Sequence, residues 1–246
     1  GVYAVNSQVA FVVGESGTIL KTSNGGKDWV IQASGTSSHL DGVYFADEKT
    51  GWAVGDVGVI RHTTDGGETW THLGLPESER ISKIVVHPKD GNTAWVCAPG
   101  KLWSDSDERG LYKTTDAGKH WTKVLAGANR STGCSDLELD PKNPDGVLAA
   151  MWDFRRQGWT FRSGGEDENQ VSGSGLYVSD NGGASFTELS AEAFPGLPAK
   201  PWGRVEVEIT REKGHLFDVY KEALGLKDLL VIGTGGNAFD AEREQW

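Results

Sequence analysis

The segment at residues 151–161, MWDFRRQGWTF, carries the side chains best suited to hold a ligand. Its aromatic residues offer flat apolar faces, and its arginines can donate charge-assisted hydrogen bonds to carboxylates or stack on rings. A further Trp and Arg, in KPWGRVEVEIT, could reach the same surface. The predicted ligand-binding residues are Trp152, Arg155, Arg156, Trp159, Phe161, Trp202 and Arg204. The alternative is that some of these aromatics, such as Trp152, pack between structural units.

A short polar string that ends in an aromatic residue occurs four times, as TSNGGKDW, TTDGGETW, TTDAGKHW and SDNGGASF. In a turn between antiparallel strands, its Asp or Asn can accept backbone N–H hydrogen bonds, and its Gly supplies a positive φ. A metal or sugar site would need the acidic residue in every copy, but two copies carry Asn. The string is therefore predicted to be structural, through Thr22, Asn24, Gly26, Trp29, Thr63, Asp65, Gly67, Trp70, Thr114, Asp116, Gly118, Trp121, Ser179, Asn181, Gly183 and Phe186.

The flanks of these strings repeat as well, and they predict the elements that position the candidate residues. The stretches that begin at Gly1 and Gly42 align without a gap, and each is predicted to form four strands, at 2–5, 10–13, 18–22 and 29–32 in the first unit. The predicted units span about 1–41, 42–80, 81–132 and 133–203. The third and fourth units are longer, and their added residues, KLWSDSDER and FRRQGWTFRSGGEDENQVS, are predicted to be loops, where binding sites are common.

Composition limits the classes of partner for this chain of 246 residues. Asp and Glu outnumber Lys and Arg, 35 to 24, so the net charge of -11 argues against nucleic acid. No apolar run approaches the roughly 18 residues of a membrane span, so no direct membrane insertion is predicted. Because no His pair has metal-ligand spacing, no metal is expected, and no cofactor is expected either. Cys97 and Cys134 could form a disulfide, but small buried hydrophobes are the favoured interpretation.

The pattern Ser/Thr-x-Asp-x-Gly-x-x-Trp resembles the Asp-box, or BNR repeat, of sialidases, xyloglucanase-type glycosidases, sortilin-type receptors and photosystem II assembly-factor propellers. The resemblance covers residues 1 to about 210. GWAVGDVGVIRHTTDGGETW is most similar to the assembly factors, and the part from ISKIVVHP to SGLYVSDNGGASF is similar to bacterial sortilin-like proteins, often labelled glycosyl hydrolase. The resemblance implies an all-β propeller with at least four blades of four antiparallel strands, and an extracytoplasmic location.

The same resemblance raises hydrolysis as the alternative function. A sialidase-type site would use an arginine cluster, an aspartic acid and a tyrosine assisted by a glutamate, but four of the five tyrosines, Tyr3, Tyr44, Tyr112 and Tyr177, occupy repeat positions. Other glycosidases need two carboxyl groups across a cleft. The candidates are Asp153, Glu166, Asp167 and Glu168. Catalytic residues stay unassigned, and a non-catalytic binding or assembly module for a protein or carbohydrate ligand is favoured over a sialidase-like or xyloglucanase-like hydrolase.

The repeat ends near residue 211, and residues 211–246 are predicted to form an irregular C-terminal unit. HLFDVYKEALGLK has the apolar spacing of a short amphipathic helix, and DLLVIGTGGNAF is predicted to form a strand followed by a Gly-rich turn. This unit either closes the ring unusually or is a truncated or fused tail.

Overall fold

The computed structural model describes residues 1–158, 160–163, 172–190, 192, 197, 202–209 and 229–233. Within these ranges the regular elements are β-strands and two 3-10 turns, Glu15–Gly17 and Pro76–Ser78, and no α-helix occurs. The predicted all-β class is therefore confirmed. The predicted helix at 215–227 and the Gly-rich turn after residue 233 lie outside the described residues.

One compact unit comprises Gly1–Gly100 and Tyr112–Lys123, and it holds two complete four-stranded antiparallel sheets. The first contains β1 Val2–Ala4, β2 Ala10–Val13, β3 Ile19–Thr22 and β4 Val30–Gln32, in that order. The second contains β5 Leu40–Phe45, β6 Gly51–Gly55, β7 Ile60–Thr63 and β8 Thr71–His72. The four strands predicted for the first unit are confirmed, because each observed boundary lies within one residue of the predicted one.

The third sheet repeats this up-and-down order with β9 Lys83–Val86, β10 Ala94–Ala98, β11 Gly110–Thr114 and β12 Thr122–Ala126. Between β10 and β11 lies the predicted insertion at 101–109, which contains no strand. The prediction of a loop at this place is confirmed.

Apolar side chains from successive sheets form the core of this first unit. Phe11 and Phe45 stack with their ring centroids 3.7 Å apart, and the Trp70 ring meets Phe45 edge-on at 6.0 Å. A second cluster is built around the fully buried Trp52, which the Trp121 ring approaches edge-on at 6.2 Å. Trp70 and Trp121, which end the second and third turn strings, therefore pack against the core, whereas Trp29, at the end of the first, is 41% exposed.

The second compact unit comprises Lys101–Leu111 and Val124–Trp246. Its main sheet has the order β13 Thr132–Leu139, β14 Val147–Gln157, β16 Gly175–Ser179 and β17 Thr187–Glu188. Two further strands, β18 Val205–Ile209 and β19 Leu229–Gly233, pair with each other. The strand predicted in DLLVIGTGGNAF is thus confirmed as β19.

The insertion at 154–172 differs from its predicted form, since its first part is not a loop. Strand β14 continues to Gln157 and pairs with β15, Thr160–Ser163, in the register Phe154↔Ser163 to Gln157↔Thr160. Gly158 has a φ of 54° and allows the tight reversal that a two-residue turn between paired strands needs. The insertion therefore begins as a β-hairpin that prolongs the sheet.

A buried polar contact joins β18 to β13 within the second unit. The register of β13 shifts between Cys134 and Asp136, and the Asp136 carboxylate accepts the Val207 N–H at 2.8 Å. The Ser135 hydroxyl contacts the backbone oxygens of Ala150 and Val205. The bulge thus aims two polar side chains at a neighbouring strand.

Both cysteines differ from the favoured prediction. Cys97 and Cys134 are disulfide-bonded, and both are fully buried. The sequence interpretation as separate small hydrophobes was wrong, because side-chain type on a strand carries no information about which distant strand lies opposite.

In the described part of the chain, no helix has the length and apolar character needed to cross a membrane.

Candidate functional site

The four turn strings join the third and fourth strands of their sheets, and a buried hydroxyl organises each of them. Thr63 Oγ1 accepts the backbone N–H of Asp65 at 3.3 Å and that of Gly67 at 2.9 Å. Both bonds recur in the other three strings, where the accepting hydroxyls are those of Thr22, Thr114 and Ser179. The Gly that donates the second bond has a φ of 84° to 89° in every copy, a backbone conformation that favours glycine.

The Asp or Asn of each string satisfies the second half of the turn. Asp65 Oδ1 accepts the Thr69 N–H at 2.9 Å, and Asp65 Oδ2 accepts the Thr69 hydroxyl at 2.5 Å. In the string at 22–29, Asn24 Oδ1 accepts the equivalent N–H, and Asn24 Nδ2 donates to Asp28 at 2.8 Å. The side chain four positions after the Asp or Asn supplies the matching group, since Thr69 donates to Asp65 whereas Asp28 accepts from Asn24. Asn can therefore take the place of Asp in this turn. The backbone hydrogen bonds expected from the sequence are present in all four strings.

The carboxylates of two strings are held in their ionised form. The hydrogen bond from the Thr69 hydroxyl, followed by that from its backbone N–H, lowers the pKa of Asp65 to about 2. The backbone N–H and then the ring of His120 lower the pKa of Asp116. The hydrogen bonds of Asp65 and Asp116 are made to residues of their own turns. This agrees with a structural role for the turn strings.

The carboxyl group predicted as a catalytic candidate on β14 is enclosed by donors. Asp153 is fully buried, and its oxygens accept hydrogen bonds from Asn129 Nδ2 at 2.8 Å, the Ser131 hydroxyl at 2.7 Å and the Gly173 N–H at 2.9 Å. Such a carboxylate can brace the surrounding loops but has no face open to a substrate. Glu166, Asp167 and Glu168 lie outside the described residues.

The hydroxyl of Tyr177, on β16, has a raised pKa, whereas a nucleophilic phenol is helped by a lowered one. Burial, and then the charge of Glu188, raises the pKa of the Tyr177 hydroxyl. Glu188 is the cross-strand partner of Tyr177 on β17. The raised pKa keeps the Tyr177 phenol protonated, and Tyr177 lies on the strand before a turn string, at a position that the repeat already explains.

The two insertions of the sequence meet in the second compact unit. Each connects the second and third strands of its sheet, and the backbone N–H of Arg156 donates to the Leu102 carbonyl at 2.9 Å. The guanidinium of Arg155 forms an ion pair with Asp105. The loop at 101–109, called the 101–109 loop below, therefore rests on the β14–β15 hairpin.

Arg109 holds the 101–109 loop from the inside. Its side chain is 2% exposed, and its Nη2 donates to the carbonyls of Lys101 and Ser104. Its guanidinium carbon lies 4.4 Å from the ring centroid of Phe154, and the Phe154 ring stacks on Trp152 at 4.4 Å. A buried cation thus links the loop to the aromatic residues of β14.

A second anchor holds residues 106 and 107, in the second half of the loop. Arg130 Nε and Nη2 donate to the two carboxylate oxygens of Asp107 at 2.8 and 3.1 Å. The Ser106 N–H donates to the Arg130 carbonyl at 3.0 Å. Both halves of the loop are therefore hydrogen-bonded to the unit that carries it.

Trp103 and Arg156 are the exposed part of this arrangement. The Trp103 side chain is 58% exposed, and the guanidinium carbon of Arg156, also exposed, lies 5.8 Å from its ring centroid. The sequence analysis did not select Trp103, although it lies in the insertion KLWSDSDER. The available signal was a Trp within residues that the repeat does not require.

The predicted ligand-binding residues have different environments. Arg155 and Arg156 contact the 101–109 loop, Trp152 is half-buried against Phe154, and Arg204 is exposed. Phe161 pairs with Arg156 in the hairpin register, while Trp159 lies outside the described residues. Trp202 differs from the prediction, because it is 7% exposed and packs in the apolar cluster with Leu148, Leu176 and Val205. Its ring is a core element of the second unit.

Among the described residues, no group of three His, Cys, Asp or Glu side chains is placed to hold a metal ion.

Two solved structures with propeller folds resemble the chain. The GH74 enzyme of Niastella koreensis is 22% identical, with 75% of this chain and 28% of that chain covered and a TM-score of 0.56. The GH74 xyloglucanase from Xanthomonas campestris is 14% identical, with 82% and 32% covered and a TM-score of 0.54. The chain thus spans less than a third of the length of either. At these identities the likeness shows the β-propeller fold alone.

A third similar structure is YCF48 bound to a D1 peptide, 18% identical, with 77% of this chain and 66% of that chain covered and a TM-score of 0.45. The family model described as "Sortilin, neurotensin receptor 3" matches residues 58–195. This match covers more than half of the chain and includes three of the four turn strings, the 101–109 loop and the β14–β15 hairpin. The chain therefore belongs to the Sortilin-Vps10 family.

Proposed function

We propose that this chain is a non-catalytic binding or assembly module that holds a protein or carbohydrate ligand on the 101–109 loop and the β14–β15 hairpin. The observation that carries the proposal is the exposed Trp103 ring beside the Arg156 guanidinium. Trp and Arg are the residue types that contribute most to binding energy at interfaces. Because the buried Arg109 and the Asp105–Arg155 ion pair already hold the loop, little conformational entropy is lost when a ligand binds.

Glycoside hydrolysis is the competing function, and it is supported by the likeness to GH74 enzymes. That support is an analogy of fold. The buried hydrogen bonds of Asp153 favour binding over hydrolysis, because this carboxylate is enclosed by donors and cannot reach a substrate as a general acid or base.

An extracytoplasmic location is part of the same proposal. Disulfides persist in oxidising compartments and are rare where thiols are kept reduced. The bonded state of Cys97 and Cys134 supports a secreted or periplasmic protein.

The test compares the wild-type chain with Trp103→Ala in a glycan array and in a pull-down from the native host. Ile31→Ala is the matched control, since Ile31 is also a strongly exposed apolar side chain and lies on β4. We expect Trp103→Ala to weaken ligand capture at least about tenfold at an unchanged melting temperature, and Ile31→Ala to capture normally. Equal capture by all three proteins would contradict the proposed site.

A hydrolysis assay on the same protein tests the competing function. We expect neither reducing sugar from xyloglucan nor sialic acid from sialosides. Release of either product by the wild-type chain, with loss of that activity in Asp153→Asn or Glu166→Gln at intact folding, would establish an enzyme instead.

A further inference from the structure

Strand β4, the outer strand of the first sheet, has an exposed and apolar edge. It ends the strand order of that sheet and pairs with β3, and with no other strand in the described part of the chain. Val30 and Ile31 are neighbours on opposite faces of β4, and they are 61% and 76% exposed. The backbone groups along such an edge can pair with a further strand, and folded proteins usually prevent this with charged side chains. Neither residue supplies a charge.

The three other outer strands carry polar or charged side chains where β4 is apolar. Two positions after the aromatic residue that ends the turn string, β4 has Ile31. The equivalent residues of β8, β12 and β17 are His72, Lys123 and Glu188. The stretch 29–38 contains no Asp, Glu, Lys, Arg or His, although the net charge of the chain is -11. Of these four outer strands, β4 is therefore the one that a further strand can join without meeting a charged side chain on it.

Ile31 also ends an apolar row that crosses one face of the first sheet. The strand register places Val2, Val12, Leu20 and Ile31 side by side on the four successive strands. Val2 is 72% exposed, and Val12 and Leu20 are half-buried. Because apolar cross-strand neighbours stabilise a sheet, a strand added to β4 gains most when it continues this row.

We infer that two copies of this chain pair antiparallel through β4, about a twofold axis at Ile31, into one continuous sheet. In this register Ile31 lies opposite Ile31 of the other copy, and Val30 lies opposite Gln32 of the other copy. The apolar row then continues through the identical row of the second copy, on the same face of the sheet.

A second copy fits this edge because a residue on a twofold axis always meets its own kind. Two Ile side chains pack together, whereas Lys123 of β12 or Glu188 of β17, in the equivalent place, would meet a like charge. The uncharged stretch 29–38 likewise brings no like charges together, which two acidic copies require of their contact. The inference goes beyond the proposed function and concerns the first compact unit, whereas Trp103 belongs to the second.

Sedimentation velocity over a range of protein concentrations tests the pairing. We expect a concentration-dependent dimer for the wild-type chain, and a dimer dissociation constant for Ile31→Lys that is raised at least about tenfold more than that for Val30→Lys. Val30→Lys is the matched control, because it adds the same charge at an exposed position of the same strand but places it opposite Gln32. A wild-type chain that stays monomeric at every concentration would overturn the inference, and so would equal effects of the two variants.

A charge exchange tests the position of the axis. Ile31→Lys and Ile31→Glu should each be mainly monomeric alone, whereas their mixture should form a dimer, since Lys then lies opposite Glu. A mixture that associates no better than either variant alone would reject the twofold axis at Ile31. Near-UV circular dichroism of each variant checks that the fold is kept, as expected for substitutions at exposed positions.

Discussion

The hydroxyl at the first position of each turn string makes three hydrogen bonds from a buried location. Thr63 is 1% exposed, accepts from the Asp65 and Gly67 N–H groups, and donates to Asp65 Oδ1 at 2.7 Å. Ser179 makes the same set in the fourth string. The shared element is therefore the hydroxyl, and the methyl group of Thr is dispensable for the hydrogen bonds.

At the residue scale, we expect Thr63→Ala to lower the free energy of unfolding by about 1–3 kcal/mol, because the buried Gly67 N–H loses its acceptor. Thr63→Ser is the matched control and should cost less than about 1 kcal/mol, since Ser keeps the hydroxyl. Urea unfolding followed by Trp fluorescence measures both. An equal loss in the two variants would show that packing of the methyl group, and not the hydrogen bonds, stabilises the turn.

At the scale of elements, the candidate site depends on a loop whose anchors are unequal. The buried Arg109 holds the first half of the 101–109 loop through the Lys101 and Ser104 carbonyls, whereas the Arg130–Asp107 pair, which holds the second half, is largely exposed, at 63% and 72%. Exposed ion pairs contribute little to stability, and loss of a buried donor leaves its acceptors unsatisfied. Arg109 should therefore determine whether the loop stays closed on the hairpin.

We expect Arg109→Met to open the 101–109 loop, because Met fills much of the space but cannot donate to the Lys101 and Ser104 carbonyls. The measurement is the rate of trypsin cleavage after Lys101, resolved by mass spectrometry, which should rise at least about tenfold. Arg130→Met is the control and should leave this rate nearly unchanged. A faster cleavage in Arg130→Met than in Arg109→Met would reverse the assignment of the two anchors.

For the whole molecule, the disulfide is the feature with the largest expected effect on stability. Cys97 and Cys134 are the two cysteines of the chain, and their bond restricts the unfolded ensemble. We expect the double variant Cys97→Ala, Cys134→Ala to lose about 2–5 kcal/mol of unfolding free energy.

Two measurements check this expectation. Thiol titration of the wild-type chain in denaturant should detect no free thiol before reduction and both thiols after it. Detection of both thiols in unreduced protein purified from the native host would contradict the disulfide and remove the support for an oxidising compartment.

Much of the fold was predictable because its signals are local. A Gly at positive φ, an Asp or Asn that accepts nearby N–H groups, and an alternation of apolar residues each act within a few positions. These features placed the turn strings and the strands of the sheets, and the family resemblance they carried was confirmed. The hairpin at 154–163 was missed because its residues were treated only as excess length over the repeat.

The sequence by itself determined the strands and turns of the repeated units, the two places where extra residues are inserted, and the Trp- and Arg-rich character of one insertion. Only the tertiary structure decided that the 101–109 loop packs on the hairpin, that Trp103 is exposed while Trp202 is buried, and that Asp153 is enclosed by hydrogen-bond donors. The physical reason is that these properties depend on which segments, distant along the chain, become neighbours. Residue type and spacing indicate which interactions a side chain can make. Burial and long-range contacts decide which of those interactions a ligand can reach at the surface.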